Sequence, residues 1–214
     1  MLVANSIRDG ARRLLNEITP SFWLATDITD WVSQAAYDIS TRTLCVEDTD
    51  SVTIVANIQN YTPTKTFLRI QNVYYINGGI SLRRITPIMQ GYQTAKPSGP
   101  PELYYDFAMQ LWIVPKPTLA EQGGIMTLFL AVESGDITKI PTRYYFPAVL
   151  FVTMSALIKE RQYTKALQLY NLYMASITVD VQNILIPRLN VPALDEYSIK
   201  QTNTVAQPVG SQGG

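Results

Sequence analysis

The chain has 214 residues, 17 basic and 17 acidic side chains, no histidine and one cysteine. Zero net charge excludes a free-standing DNA grip, which needs a basic face. The missing histidine removes the commonest general base and zinc ligand, and the lone Cys45 excludes a disulfide framework within the chain. Charged residues make up 16% of the chain, below the roughly 25% usual for soluble proteins, which suits either a surface hidden in an assembly or an ordinary globular enzyme. Residues 1–50 hold eight acids and four bases, whereas 51–150 hold eight bases and five acids. That bias suits packing between subunits as well as one folded monomer. The start, "MLVANSIRDGARRLL", breaks its apolar run too early for a signal peptide. The longest apolar run, "FPAVLFVTMSALI", falls short of a membrane span, so no membrane partner is expected.

Residues 1–50 read as a helical hairpin. Ile7, Ala11, Leu14, Leu15 and Ile18 keep helical spacing until Pro20. "TDITDWVSQAAYDISTRT" follows, with Thr26 or Asp27 as cap and a stripe of Ile28, Trp31, Val32, Ala35, Ala36 and Ile39. Cys45 lies just past this helix and is expected to be buried.

Residues 51–140 switch to the period of strands. "SVTIVANIQNYTP" and "TFLRIQNVYYI" read as strands, the second with Leu68, Ile70, Tyr74 and Ile76 on one face. Asn77-Gly78 signals a type I′ hairpin, and "GISLRRIT" is the return strand. "GYQTAKPSGPP" is a loop. "ELYYDFAMQLWIVP" is a second hairpin tipped at Phe107-Ala108-Met109, and "GIMTLFLAVE" a further strand with Leu128, Leu130 and Val132 inward. In the doublets Tyr74-Tyr75, Tyr104-Tyr105 and Tyr144-Tyr145, alternation gives one core ring and one outer ring each.

Residues 141–186 form a helix pair. Thr142 is the expected cap, and Val149, Leu150, Thr153, Ala156, Leu157 and Glu160 share a side. After a break near Gln162, a helix from Thr164 to Leu185 carries Ala166, Leu167, Tyr170, Tyr173, Met174, Ile177, Val181 and Ile184. The pair can close as an intrachain hairpin or lay its last helix on a neighbouring subunit. Pro187 is expected to end it.

Residues 187–214 are an extended polar tail with Tyr197 as their one aromatic residue. Backbone ordering costs about 1–2 kcal/mol per residue. At about 25 cal/mol per Å², the tail then needs on the order of 1,000 Å² of burial. Leu189, Val191, Leu194, Ile199, Val205 and Val209 are the groups that can dock it on a large partner. The fold class expected is α+β, with helical hairpins at both ends around a small, mostly antiparallel sheet.

No phosphate loop, dinucleotide fingerprint, C-x-x-C or nucleophile elbow is present, so no cofactor and no enzyme are expected. The acids Asp27, Asp30, Glu47, Asp48 and Asp50 keep a carboxylate-based cell-wall hydrolase carried by a virion as the alternative. "VEDTDSV" mimics a calcium loop without its glycine and distal glutamate. Outer tyrosines with Arg69, Arg83, Arg84 and Arg143 leave open a carbohydrate-binding sheet module.

The run "LLNEITPSFWLATDITDWVSQAAYDISTRTLCVE" resembles the head-to-tail adaptor, or connector, proteins of tailed bacteriophages. So do "ELYYDFAMQLWIVPKP", "LFLAVE" and "IPTRYYFPAVLFVTMSALIKERQYTKALQLYNLY", in that order. The likeness covers roughly residues 7–180 and looks most like the podovirus tail tubular protein A, or gatekeeper, form. It implies a homo-oligomeric, usually dodecameric ring in the virion neck, assembled in the host cytoplasm between the portal protein and the tail nozzle or next neck protein. Double-stranded DNA would pass transiently through its channel. The resemblance assigns Trp23, Trp31, Tyr170, Tyr173 and Ile177 to the ring wall and Asn77, Gly78, Phe107 and Met109 to tail-facing loops. By position, Leu189, Val191, Leu194, Tyr197, Ile199, Val205, Pro208 and Val209 fall on a portal-binding tail.

Overall fold

The computed structural model describes residues 1–17, 22–86 and 97–189, the last eleven as helical backbone alone. Ile18, Pro20, residues 87–96, with the first part of the predicted loop "GYQTAKPSGPP" among them, and all tail residues from Val191 onward lie outside the described residues. The chain divides into a unit from Met1 to Ile177 and a second from Thr178. The fold is α+β, with helices at both ends of the chain around antiparallel sheet.

Helix α1 spans Ala4–Leu14 and α2 spans Ala25–Thr43. The first buries Ile7 and Ala11 but leaves Leu14 half exposed, because the chain turns at Asn16, with φ 56°, before Ile18 is reached. In α2, Ile28, Val32, Ala35, Ala36 and Ile39 are buried as their spacing predicts. Neither Thr26 nor Asp27 caps it. Extended Leu24 precedes the first turn, and the Asp27 carboxylate instead pairs with Lys159 at 2.6 Å. Leu44 closes the helix in the left-handed region, and Cys45 is only partly buried.

Eight strands follow among the described residues: β1 Glu47–Thr53, β2 Asn60–Tyr61, β3 Arg69–Tyr75, β4 Ile80–Ser81, β5 Arg83–Arg84, β6 Leu103–Phe107, β7 Gln110–Val114 and β8 Ile125–Ala131. They make two four-stranded sheets, ordered β1-β8-β3-β4 and β2-β7-β6-β5. The return strand after Gly79 is divided. β4 stays with β3, Leu82 turns into the core, and β5 joins β6 in parallel in the second sheet. Between the sheets lies a core that includes Ile70, Val73, Tyr75, Tyr104, Leu111, Ile113, Met126, Leu128 and Leu130. Each such large side chain contributes about 1.5–3 kcal/mol by leaving water.

Three local expectations change. In β3 the register shifts between Ile70 and Asn72, so Gln71 is an extra residue and the parity reverses. Ile70, Val73 and Tyr75 point inward, while Tyr74 and Ile76 are exposed. The Tyr104 hydroxyl of the facing sheet donates to the Gln71 carbonyl at 2.9 Å and pins the bulge. The β3–β4 turn is not type I′ at Asn77-Gly78. It uses the four residues 76–79 with Gly79 at φ 64°, because the Asn77 side chain accepts from the Ile125 N–H. The two-residue turn with both positions at positive φ falls at Ala108 (51°) and Met109 (61°), between paired Phe107 and Gln110.

Helix α3 spans Tyr145–Lys159 and α4 spans Tyr163–Leu189. A 3-10 turn at Thr142–Tyr144 leads into α3, and Thr142 does not cap it. α3 is buried on most sides, packing against both α1 and α2. Gly10 permits that approach: a Cβ there would sit 2.7 Å from the Tyr145 hydroxyl and 2.9 Å from Val149. α4 continues two residues past Pro187, where a proline near the helix end forfeits one hydrogen bond rather than the helix.

Candidate functional site

The acidic run at the start of β1 is a strand edge. The Val132 N–H donates to the Val46 carbonyl and the Ile54 N–H to the Gly124 carbonyl. Even-numbered residues of β1 therefore hydrogen-bond to β8, and the N–H groups of Thr49 and Ser51 face away from the sheet. The Asp48 carboxylate accepts from Thr49 N–H and the Asp50 carboxylate from Ser51 N–H, both at 2.8 Å. Asp48 also pairs with Lys65 at 2.7 Å, and Asp50 accepts from Thr64 and from Lys65 N–H. This replaces the calcium-loop reading. The Lys65 ammonium, with the Thr49 N–H, lowers the Asp48 carboxyl. Burial pushes Asp50 up, but its hydrogen bonds from Ser51, Lys65 and Thr64 outweigh that and the net shift is downward. A glycosidase acid must hold its proton at working pH, and both groups are tuned the opposite way. Among the described residues no group of three or more His, Cys, Asp or Glu is placed to hold a metal.

The helical layer is joined by buried polar contacts. Arg12 and Glu17 pair at 2.5 Å with under a tenth of either side chain exposed. Arg12 also donates to the Trp23 carbonyl, while Glu17 accepts from the N–H groups of Phe22 and Trp23. Trp23 meets the edge of Trp31 at 5.6 Å, and Lys159 stands 5.8 Å over the Trp31 ring. On α4, the buried Tyr173 hydroxyl donates to the Asp38 carboxylate, which also accepts from Arg42 at 2.8 Å. Burial, then that hydrogen bond, pushes the Tyr173 hydroxyl well above its ordinary range.

Of the predicted ring-wall residues, Trp23, Tyr173 and Ile177 are buried within the subunit and Trp31 is half-buried. Tyr170 faces outward, as does Leu167, correcting the expected stripe. Among the described side chains the buried line on α4 is Ala166, Tyr173 and Ile177, with Leu169 half-buried between them; Val181 and Ile184 of the predicted stripe lie outside them. Its flank with α3 forms a groove of about 370 Å³ lined by Met154, Ile158, Tyr163, Ala166, Leu167 and Tyr170. The doublet rule holds for Tyr74-Tyr75 and Tyr144-Tyr145 but not for Tyr104-Tyr105, both buried. Tyr105 stacks on Trp112 in a second small cluster with Ile85, Leu103 and Val114, so both faces of β6 are covered.

The two loops predicted to face the tail lie at opposite ends of β8. Asn77 binds Ile125, its first residue. Met109 shares a hollow with Phe67, Leu68 and Glu133, and Leu68 N–H donates to Ala131, its last residue. The helices join the Ala131 end, where Ser134 bonds to Ser40 of α2 and Gln71 to the Leu44 carbonyl. The far end carries exposed Val55, Ile58, Ile76, Ile80, Leu119 and Ile125, which composition did not single out. Val55, Ile58 and Leu119 lie outside the strands, whereas Ile80 and Ile125 begin β4 and β8 and Ile76 follows β3 directly. Leu189 falls on the α4 backbone, and the other predicted tail residues lie outside the described residues.

Carboxylates are thus engaged at a strand edge and at helix joints, beside exposed apolar side chains. The family model described as SU10 adaptor protein matches residues 3–190, and the chain belongs to that family. It is accordingly a phage head-to-tail adaptor, a structural protein of the virion neck that meets other head and tail proteins. No curated protein matches it. Among the described residues no helix is long and apolar enough to cross a membrane.

Proposed function

We propose that copies of this chain form a ring, dodecameric as in the podovirus gatekeeper form, joining the portal protein to the tail nozzle or next neck protein. The channel passes DNA during genome ejection, and a net charge of zero suits a lumen that should not hold it. The carrying observation is where the family match stops. Residues 3–190 contain every helix and strand described. The residues beyond hold Val191, Leu194, Tyr197, Ile199, Val205, Pro208 and Val209 among polar neighbours, a composition that orders on a partner. This segment is the portal anchor. Of the two loop sets, Asn77-Gly78 faces the tail, because it shares its end of the unit with the exposed apolar rim. Phe107 and Met109 lie at the helical end.

Removing residues 190–214 tests the anchor while sparing α4. The expected product unfolds at the temperature of the full chain but fails to co-sediment with portal-bearing heads. A truncate that joins portals as well as the full chain overturns the anchor.

A further inference from the structure

α4 meets α3 along an apolar seam. Ala166 packs with Met154 and Leu157, and the Tyr173 ring meets the edge of Phe151 at 5.6 Å. A polar contact enters this seam from α2: the hydroxyl of Tyr173, a residue 1% exposed, donates to the Asp38 carboxylate. Asp38 is itself held by Arg42, four residues on along α2, at 2.8 Å. One turn after Tyr173 the first unit ends at buried Ile177, and the helical backbone runs on to Leu189. We infer that Asp38 and Tyr173 are positioning residues of the adaptor: their contact fixes the rotation and register of α4, and so the place where the chain beyond Leu189 begins. The inference rests on the reading of that chain as the portal anchor and names what aims it.

Apolar ridges alone hold a helix loosely in angle, and crossing angles of one packing class scatter by about 15–20°. A polar contact in an apolar helix seam specifies register instead, with little gain or some cost in stability. Phenylalanine at position 173 would fill the same space and keep the edge contact with Phe151, so the hydroxyl adds direction rather than bulk. Ser176 marks the same spot. Its hydroxyl donates to the Tyr173 carbonyl at 2.7 Å, a back-bond of the kind that bends helices. That carbonyl is the one the Ile177 N–H meets in the helical ladder. The bond to Asp38 therefore steadies α4 where its own ladder is shared. The lever beyond is long. From Tyr173 to Leu189 the helix runs about 24 Å, so a swing of about 15–20° displaces its end by about 6–8 Å. Val191, the first apolar residue after α4, follows Leu189 by two residues, a reach of about 7 Å. It would need all of that reach to make up the shift.

The test mixes portal-bearing heads with the purified full chain and measures the concentration that gives half-maximal co-sedimentation. Tyr173→Phe is expected to lower the thermal transition by no more than about 4 °C, the scale of one hydrogen bond in a chain of this size. It should nevertheless weaken joining at least about tenfold, the worth of one apolar anchoring group. Asp38→Ala should weaken joining as much, and the double variant no more than either single one, because both remove the same contact. Asp38→Asn keeps an acceptor for the hydroxyl and should join like the wild type. So should Arg42→Ala, since an exposed pair within one helix contributes little. Wild-type joining by Tyr173→Phe, losses that add in the double variant, or a thermal transition of Tyr173→Phe lowered well beyond about 4 °C overturn the inference, the last by making the contact a determinant of the fold. The chain lacking residues 190–214 separates the two failures. If it still joins portals, the anchor reading falls; if it fails while Tyr173→Phe joins like the wild type, the positioning role alone falls.

Discussion

Asp50 illustrates how far a residue's role depends on the direction of its neighbours. Its carboxylate accepts from Ser51, Thr64 and Lys65, and the net effect is a depressed folded-state pKa. A carboxyl depressed on folding contributes stability that is present above its unfolded value, about 3.9, and is lost as pH falls through the folded value. Stability of the wild type should therefore drop as pH falls below about 4. Asp50→Asn should be less stable at neutral pH and show a shallower loss across that acid window. Urea midpoints measured from pH 6 down to 2 check this, and parallel curves for the two proteins would refute it. Composition could suggest calcium or acid catalysis for this run because both need the same carboxylates. The outward turn of two N–H groups, which exists only once β1 has paired with β8, makes it an edge instead.

At the scale of elements, the hairpin turns show a preference overridden. Asn77-Gly78 has the chemistry of a type I′ turn, yet Ala108-Met109 adopts the geometry. An L residue in the left-handed region costs about 1–2 kcal/mol, and two such positions persist here because Phe107 and Gln110 are paired and β6 is buried on both faces. The double substitution Ala108→Asn with Met109→Gly should therefore raise stability by about 1–2 kcal/mol, read as a higher denaturant midpoint at unchanged slope. A lower midpoint would show that the Met109 side chain in its hollow with Phe67 and Leu68 matters more than the backbone. The same scale separates readable from unreadable elements. The α2 stripe from Ile28 to Ile39 was legible because one helix face meets one core. In β3, a single bulged residue at Gln71 reversed which tyrosine is buried, and no periodicity within seven residues reports such a slip. In α4, Leu167 and Tyr170 look no different from core residues, and only the placement of α3 shows that they stand outside.

For the whole molecule, the helices gather at one end of the sheets and an apolar rim at the other, and this polarity suits a protein that joins two unlike partners. Leu119, 78% exposed at the rim, is the residue to probe. Leu119→Glu should leave joining to portal-bearing heads intact and reduce attachment of the tail-side protein at least about tenfold, as burying an unpaired charge at a contact does. Electron microscopy counts of tailless heads check it, and wild-type numbers of tailed particles would place the tail contact elsewhere. The α+β class, the order of elements, the α2 face and the adaptor resemblance all followed from the amino-acid order alone, because helix and strand periods, turn residues and composition are local or additive properties. Which side of β3 is buried, which turn takes positive φ, which flank of α4 stays bare and which loops share an end are set by contacts between residues far apart in the chain. Those emerge only when the sheets and helices have packed against one another.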